Sequence, residues 1–500
     1  MHRALAIGVV VGVVAVGAAA AMSAIVWHGS TTSATLEKGA HSLTTGFLLD
    51  PDVSDAYQVA VDHRVAAVGA HVLRIHALWG EIAPVHRPKS FNAADPADPA
   101  YHWKVLDAEI QHAHDAGLEP LLTVTGAPAW AQRGGLNRDR YAAYDPDPEQ
   151  YATFATALAK RYSGSSGGLS RVRLWEAWNE PNVSFYFTPQ TEGGPNGARI
   201  DVAAEKYRAL LNAFADAVHA VDRSNVVAAG SLAPFTIRGV SYVETTGGIT
   251  FMRELLCMSV TGPPEPTCSG KVHFDALSFH PYTSGGPDHK ANIVGDLSLG
   301  NMPEARSVLA AAIRAGHVVS SRPVQMWVTE FSWDTRPPDP RAVPTALHMR
   351  WVAEAMYRMW QNGVSLLIWY QVDDWRYPGA DYQSGLWYRG ATLAQDRPKP
   401  SLQAFRFPFV AYASSGRIRY WGRAPAATPA RVTVQIATGS GWHNVTTAHA
   451  SRYGVFSGSF ASSATKGHVR AVVGMEQARG FSLTVPPDFP VTPFGVGSVK

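Results

Sequence analysis

The chain has 500 residues, 46% of them hydrophobic and 17% charged, and its formal net charge at pH 7 is +3. This length is too great for one ordinary core and predicts one large α/β domain joined to one small domain. The 43 lysine and arginine residues form no basic run, so the chain lacks the positive patch that nucleic-acid binding requires. The many aromatic residues, 15 of them tryptophan, suit a flat ligand with apolar faces, such as a sugar ring.

The N-terminal residues 1–27 predict an export signal. One arginine precedes a run of apolar and small residues from Ala4 to Trp27, which contains A-x-A sites around Ala20. Because the run is long enough to span a bilayer, retention as a membrane anchor is the alternative to cleavage. We therefore expect a protein that is secreted or anchored to the outer face of the cytoplasmic membrane, with a linker over 28–41.

Residues 42–412 predict eight successive βα units. Short β-rich runs alternate with long amphipathic runs at a spacing of about 40 to 50 residues. The predicted strands are 42–50, 71–78, 118–125, 171–180, 225–231, 273–280, 322–330 and 363–371. Eight such repeats predict a (β/α)8 TIM barrel, whose chemistry lies on the loops that follow the strands. An open doubly wound sheet is the alternative, but no glycine-rich phosphate turn follows the first strand.

Residues 413–486 predict a C-terminal all-β domain similar to a small sandwich, followed by a tail over 487–500. The pattern changes here to short alternating runs such as RVTVQIATG and HVRAVVG. Trp421 and Trp442 offer a possible sugar-binding surface. We favour a structural spacer, because two tryptophans alone do not establish a binding platform.

The only two cysteines, Cys257 and Cys268, lie 11 positions apart. In an oxidising compartment we expect them to form a disulfide bond. Two free buried thiols are the alternative. A metal site is not expected, because two thiols without a nearby pair of further ligands make a poor one.

Two of the predicted barrel strands end in a carboxyl group. The fourth ends in Asn179-Glu180-Pro181, and the seventh, VQMWVTEF, ends in Glu330. The fourth and seventh strands of an eight-stranded barrel lie on opposite walls, so the two glutamates can face each other across the mouth. A pair of carboxyl groups in that arrangement can cleave a glycosidic bond.

The segments WEAWNEPN and VTEFSWDT resemble the corresponding motifs of clan A glycoside hydrolases, family 39 most closely and family 5 second. The resemblance covers roughly 43–409, the whole predicted barrel. It implies that Glu180 is the acid/base, that Glu330 is the nucleophile and that Asn179 contacts the sugar 2-hydroxyl. It also implies a retaining outcome. We expect the reaction to need no metal and no organic cofactor.

Four further polar residues are expected near the two glutamates. Arg74 and Tyr282 are candidates to keep Glu330 ionised, and both occupy positions where the clan often has such partners. His280 ends the sixth strand, where it would bind a substrate hydroxyl, orient the acid/base or simply cap the strand. Glu176 should point into the barrel, where an ion pair with Arg74 is favoured over a catalytic role.

Three tryptophans are candidate sugar platforms. Trp369 at the end of the eighth strand resembles the clan's tryptophan beneath the sugar at subsite −1, and Trp130 and Trp79 follow strands three and two. Ordinary packing is the alternative for each. Asp373 and Asp374 follow the eighth strand, where they would bind hydroxyls or cap the loop.

The sequence thus predicts a monomeric retaining glycosidase that acts on a polysaccharide or glycoside, with carbohydrate as its partner. A non-catalytic cell-surface carbohydrate-binding barrel is the first alternative. A metal-dependent barrel hydrolase is the second, and it is disfavoured because His76 and His280 alone make a poor metal site. The sequons at Asn182 and Asn444 are interpreted as chance matches, since a glycan on Asn182 would obstruct the cleft; this favours bacterial export.

Overall fold

The computed structural model describes residues 34–37, 42–49, 54–165, 167–240, 243–380, 382–425, 428–439 and 441–491. The predicted signal segment, most of the linker and the last nine residues of the tail lie outside this range. None of the helices described is long and apolar enough to cross a membrane.

Eight parallel strands close into a barrel, so the predicted (β/α)8 fold is confirmed. Neighbouring strands pair in the order β1-β8-β7-β6-β5-β4-β3-β2, which is the sequential order of a TIM barrel. The strands are β1 Thr44–Leu48, β2 Val72–Leu78, β3 Glu119–Thr125, β4 Leu174–Ala177, β5 Val226–Leu232, β6 Ala276–Phe279, β7 Gln325–Phe331 and β8 Val364–Trp369.

The main helices form the outer layer of the barrel. They are α1 Asp55–Ala67, α2 Lys104–Asp115, α3 Pro148–Arg161, α4 Ala203–Val221, α5 Gly248–Leu255, α6 Met302–Arg314, α7 Thr345–Gln361 and α8 Pro400–Arg406. A single turn over Trp79–Ile82 follows β2 directly. Helix α3 begins at Pro148 because the Asp147 side chain accepts hydrogen bonds from the amides of Glu149 and Gln150, and Pro148 has no amide hydrogen to satisfy.

Alternating side chains divide the barrel into an inner and an outer core. One side chain or two from each strand fill the barrel interior and form an apolar layer of Leu48, Val72, Leu121, Leu174, Val226, Ala228, Ala276, Trp327, Leu366 and Ile368. The residues between them point outward and pack against the helices. The next inward-facing residue on each strand therefore lies closer to the C-terminal mouth of the barrel.

Short two-stranded ladders stiffen the loops around the barrel. They pair Ala143–Tyr144 with Phe187–Thr188, Thr191–Gly193 with Arg199–Asp201, Ile237–Val240 with Val243–Thr245, Val272–His273 with Val318–Val319, Thr335–Arg336 with Val343–Pro344, and Trp387–Tyr388 with Arg397–Pro398.

The C-terminal region is the expected all-β domain, built from two antiparallel sheets. One sheet has the order β9-β10-β13, and the other has β12-β11-β14 with two short edge strands. The strands are β9 Phe409–Ser414, β10 Arg417–Arg423, β11 Ala430–Thr438, β12 Gly441–Ala450, β13 Val455–Ala461, β14 His468–Val473 and the short Glu476–Gln477 and Phe481–Ser482.

The two tryptophans of this domain differ in their surroundings. Trp421 is buried against the rings of Tyr357 and Trp360 on α7, so it fastens the domain to the barrel. Trp442 is exposed, and the Arg470 guanidinium lies 4.1 Å from its ring centre. Trp421 is therefore a packing residue and not part of a sugar-binding surface.

Cys257 and Cys268 form the expected disulfide bond. The bridge closes the loop that follows α5 on the outer side of the barrel. Closing an 11-residue loop restricts the unfolded chain and contributes about 3 kcal/mol at most.

Asp62 on α1 is a fully buried carboxyl with no ion-pair partner among the described residues. Burial raises its pKa to about 7, and the Gln58 amide offsets this rise in part. In the unfolded chain the carboxyl has its ordinary pKa of 3.8, so folding retains a proton that the unfolded chain releases. This contribution to stability is complete below about pH 4 and is lost as the pH rises through about 7.

We predict that Asp62→Asn increases the free energy of unfolding at pH 8 and that this gain disappears toward pH 4. The amide cannot ionise, so it removes the penalty for burying a charge. Urea denaturation of both proteins from pH 4 to pH 8 measures the difference. Asp55→Asn, an exposed change in the first turn of the same helix, should show no gain that grows with pH. A gain for Asp62→Asn that is equal at both ends of the range would contradict the prediction.

Candidate active site

The turn after β4 places Asn179 and Glu180 at the barrel mouth. The strand ends at Ala177, and Trp178 and Glu180 then adopt positive φ angles of 72° and 43°. This conformation costs about 1–3 kcal/mol for each non-glycine residue and persists only where neighbours hold it. Here Asn182 does so, because its side-chain amide donates to the carbonyls of Ala233 and Thr246 and its oxygen accepts from the Ala233 amide.

Asn182 is the asparagine of the sequon. Its side chain is fully buried and hydrogen-bonded, so it has a structural role in the turn. The interpretation of Asn182 as a chance match is consistent with this placement.

A β-bulge turns Glu330 toward the mouth. Trp327 points into the barrel, so strict alternation would send Glu330 outward. Between β7 and β8, however, Val328 pairs with Leu367 and Phe331 pairs with Trp369, so β7 carries one extra residue. An extra residue of this kind re-aims the side chains that follow it.

A polar layer lies directly above the apolar interior, and Arg74 is its centre. The fully buried Arg74 guanidinium contacts Glu176 Oε2 and Asn179 Oδ1 at 2.8 Å and Glu330 Oε1 at 2.6 Å. Thr123 accepts from Arg74 and donates to Glu176 at 2.7 Å. Arg74 thus orients the residues at the ends of β4 and β7.

Glu176 is the structural partner of Arg74, as its alternation predicts. The Ser278 hydroxyl donates to its second oxygen at 2.8 Å. Burial opposes its ionisation, but the Arg74 charge and the hydroxyls of Thr123 and Ser278 hold the pKa of Glu176 below its usual value. The carboxylate is therefore charged and committed to the arginine.

Glu180 and Glu330 approach each other closely. His280 Nδ1 lies 2.8 Å from Glu180 Oε1 and 3.7 Å from Glu330 Oε2, and one oxygen of each carboxyl lies within 4.8 Å of the other. Tyr282 donates its phenol hydrogen to Glu330 Oε2 at 3.1 Å. Only 16% of the Glu180 side chain and 13% of the Glu330 side chain are exposed, so both face a narrow space.

The environment separates the two carboxyls by their protonation. Burial and the charge of Glu330 raise the pKa of Glu180 well above its usual value. Burial also raises the pKa of Glu330, but the Arg74 charge and the hydrogen bonds from Arg74 and Tyr282 oppose the rise. Glu330 is therefore the carboxyl that ionises first, and Glu180 keeps its proton.

His280 is a neutral neighbour of both glutamates. Burial and the positive charge of Arg74 hold the pKa of His280 well below its usual value. Its Nε2 atom lies 3.2 Å from the Thr329 hydroxyl, which fixes the plane of the ring. A neutral imidazole at 2.8 Å can exchange a hydrogen bond with Glu180 in either protonation state of the carboxyl.

The structure places two of the three candidate sugar platforms inside the core. Trp79 and Trp369 are completely buried. Each lies an odd number of residues after an inward-facing residue, Arg74 on β2 and Ile368 on β8, so its side chain points outward toward the helices. Trp79 stacks on Phe154, and the Trp369 indole donates to the Ser384 carbonyl at 2.9 Å. Neither indole has a face open to a ligand.

Trp130 is partly exposed, but its surroundings also favour packing. Its indole donates to the Pro84 carbonyl at 2.8 Å, and its edge meets Trp79. The Arg87 guanidinium lies 5.1 Å from its ring centre and covers one face. Packing and a cation–π contact account for this residue.

Four residues at the mouth were not identified as site residues from the sequence. Tyr370 packs against the inner layer next to Trp369, and its ring lies 5.4 Å from that of Tyr382. Tyr186 is partly exposed as a residue, and burial of its phenol together with the charges of Glu180 and Glu330 raises its pKa well above the usual value. His76 follows Arg74 on the inner face of β2, and its ring lies 5.3 Å from Tyr141.

Two of these four residues had a sequence signal. His76 and Tyr370 share the alternation of residues that point inward, so counting along β2 and β8 would have found them. Tyr186 and Tyr382 belong to loops, where no periodicity exists to place them.

A buried ammonium group joins the loops that follow β7 and β8. Lys399 donates to Asp374 at 2.6 Å, to the Thr335 hydroxyl at 2.7 Å and to the Gln383 carbonyl at 2.9 Å. Asp373 accepts instead from Tyr57 and Arg64. Asp373 and Asp374 thus fasten the loop that carries Tyr382, which is the capping alternative predicted for them.

Comparisons with known proteins identify the fold. No protein-family model matches the chain, and no curated protein matches it. Among solved structures, a family 39 glycoside hydrolase from Bacteroides cellulosilyticus WH2 has a TM-score of 0.50 at 15% identity, over 83% of this chain and 79% of that one. A monomeric β-xylosidase from Caulobacter crescentus CB15 has 0.47 at 16% identity, over 81% of this chain and 83% of that one.

A third structure, the family 39 enzyme from Xanthomonas axonopodis pv. citri, has a TM-score of 0.47 at 15% identity, over 86% of this chain and 92% of that one. At 15% identity, the likeness to the Bacteroides enzyme shows a shared barrel fold.

We predict that Glu176→Gln lowers the free energy of unfolding by about 3–5 kcal/mol, because it removes one partner of a buried ion pair. Urea denaturation at pH 7 measures the change. The control is Glu119→Gln at the N-terminal end of β3. It breaks the solvent-exposed ion pair with Arg173 and should lower the free energy of unfolding by less than about 1 kcal/mol. Equal losses in the two variants would contradict the central role of Glu176.

Proposed function

We propose that this chain is a retaining glycoside hydrolase that cleaves O-glycosidic bonds by double displacement, with Glu180 as acid/base and Glu330 as nucleophile. The observation that carries the proposal is the approach of their carboxyl oxygens to within 4.8 Å at the tips of β4 and β7. Retaining enzymes hold the two carboxyl groups about 5–5.5 Å apart, whereas inverting enzymes hold them about 6.5–9.5 Å apart to admit a water.

In the first step, a carboxylate oxygen of Glu330 attacks the anomeric carbon. The bond to the leaving oxygen breaks, and that oxygen takes the proton from Glu180. Glu330 keeps the negative charge that attack requires because Arg74 and Tyr282 donate to its oxygens. Glu180 has its proton to give because burial and the Glu330 charge raise its pKa.

In the second step, Glu180, now a carboxylate, accepts a proton from a water molecule. The water oxygen bonds to the anomeric carbon and releases the Glu330 carboxylate. His280 supports both steps by remaining hydrogen-bonded to Glu180 while the carboxyl changes its charge. Two displacements on one carbon restore its original configuration.

Asn179 supports the binding of the sugar. Arg74 donates to the Asn179 oxygen, which fixes the orientation of the amide and leaves its NH₂ group as a donor at the mouth. A donor at this position suits a hydroxyl of the ring that Glu330 attacks, the contact that the motif resemblance implies.

The disulfide bond supports action outside the cytoplasm. Structural disulfides persist in oxidising compartments and are rare in the cytosol. The proposal includes export, with the protein either released or anchored to the outer face of the cytoplasmic membrane.

We predict that Glu330→Ala abolishes turnover of aryl glycosides, whereas Glu180→Ala slows poor leaving groups by about 10²–10⁴-fold and activated ones far less. A panel of 2,4-dinitrophenyl and 4-nitrophenyl glycosides of common pyranoses measures both. Added azide should rescue Glu180→Ala with a glycosyl azide of retained configuration, because azide needs no general base. It should rescue Glu330→Ala with the inverted product.

The matched control is Glu192→Gln, an exposed carboxyl in the loop after β4, which should leave the kinetics unchanged. Normal turnover by Glu330→Ala would refute the proposal. A wild-type chain that binds sugars and turns none over would support the carbohydrate-binding alternative.

A metal-dependent hydrolysis is the second candidate, because Glu180, His280 and Glu330 each offer one ligand atom within 4.8 Å of the others. The Arg74 guanidinium 2.6 Å from Glu330 opposes it, since a cation bound there would meet a fixed positive charge. We predict that dialysis against EDTA leaves kcat and KM unchanged. Loss of activity that Zn²⁺ or Mn²⁺ restores would favour the metal mechanism.

A further inference from the structure

Phe185 is an exposed aromatic residue in the loop that follows the proposed acid/base. Its side chain is 45% exposed, whereas Val183 and Phe187 on either side are buried. Its ring meets the ring of Tyr186 edge to face at 4.9 Å, which leaves one broad surface of Phe185 toward solvent. A lone exposed hydrophobic residue is ordinary by itself, but Phe185 is held by a fixed main chain and adjoins the proposed acid/base.

The backbone on both sides of Phe185 is fixed. The Val183 amide donates to the Glu180 carbonyl at 2.9 Å, and the Tyr186 amide donates to the Val183 carbonyl at 3.0 Å. Ser184 exchanges two hydrogen bonds with the backbone of Glu244, each 2.8 Å long. The Phe187–Thr188 strand is paired with Ala143–Tyr144. The main chain that carries the ring is therefore held in one conformation.

This rigid segment begins at Glu180. The turn from Glu180 to Tyr186 is closed by consecutive hydrogen bonds, and burial and the charges of Glu180 and Glu330 raise the pKa of Tyr186 at its end. Glu330 stands on β7, three strands away from β4 around the barrel, so it approaches Glu180 from across the mouth. Because an acid donates to the leaving oxygen, the leaving group lies toward β4, and the loop after β4 carries Phe185.

We propose that Phe185 is the platform for the leaving group, so that the enzyme selects glycosides whose leaving group has a flat apolar face. A pyranose ring with axial hydrogens or an aryl group has such a face and packs well on an aromatic ring. This inference rests on the proposed function and adds a specificity residue to it. The class of substrate is a glycoside with a second ring attached through the scissile oxygen, rather than one with a small alkyl group.

The test compares two substrates that share the same sugar and differ in the leaving group. In a glycosyl fluoride the leaving group is a small anion that touches no platform, and in a 4-nitrophenyl glycoside or a disaccharide it is a ring. The sugar is the one that the aryl glycoside panel identifies for the wild type. Steady-state kinetics give kcat and KM for each pair, and thermal unfolding verifies that the variants are folded.

Phe185→Ala should lower kcat/KM about 3- to 10-fold for the ring-bearing substrates and less than about 2-fold for the fluoride. Phe185→Tyr and Phe185→Trp should restore the ring-bearing substrates, because they keep a flat face. Val294→Ala, a control at a 93% exposed apolar residue in the loop after β6, should change neither substrate.

An equal loss on the fluoride and on the ring-bearing substrates would overturn the platform, because it would mean general damage to the site. No change on either would also overturn it. Both results leave the proposed function standing, since the wild type is active. A wild type that hydrolyses neither the fluoride nor any aryl glycoside would refute the proposed function itself, and the platform with it.

Discussion

The buried guanidinium of Arg74 is the interaction on which the mouth of this barrel depends. Three glutamates converge above the apolar interior, and one arginine contacts two of them and orients Asn179 as well. With Glu176 and Glu330 ionised and Glu180 protonated, the cluster carries one net negative charge. In the mechanism that we propose, positive charge develops at the anomeric carbon in a transition state like an oxocarbenium ion, and this excess negative charge is complementary to it.

Regular alternation explains both what the sequence predicted and what it missed. The alternation of side chains with a period of two predicts the eight strands and the Arg74–Glu176 pair. The ends of the predicted strands identify Glu180 and Glu330. The same alternation places Trp79 and Trp369 outward, so resemblance rather than counting led to Trp369 as a platform. Tyr186 and Tyr382 could not be found in this way, because loops bring them to the mouth through contacts between segments far apart in the chain.

The loops around the site are held by buried polar groups rather than by a large apolar lid. Asn182 fixes the turn after β4, Ser184 binds the backbone of Glu244, and Lys399 joins the loops after β7 and β8. Each group is satisfied by several partners, which is the condition under which buried polar residues specify one geometry. The carboxyls consequently lie in a preorganised environment, where their protonation states are set before a substrate arrives.

The bulge in β7 determines which way the side chains at the end of that strand point. One additional residue between Val328 and Phe331 exchanges the faces of everything that follows, and Glu330 points into the mouth only because of it. In unbroken alternation the same segment would turn the Glu330 carboxylate toward the helices. The register of β7 is thus a part of this site that the order of the amino acids in the motif does not show by itself.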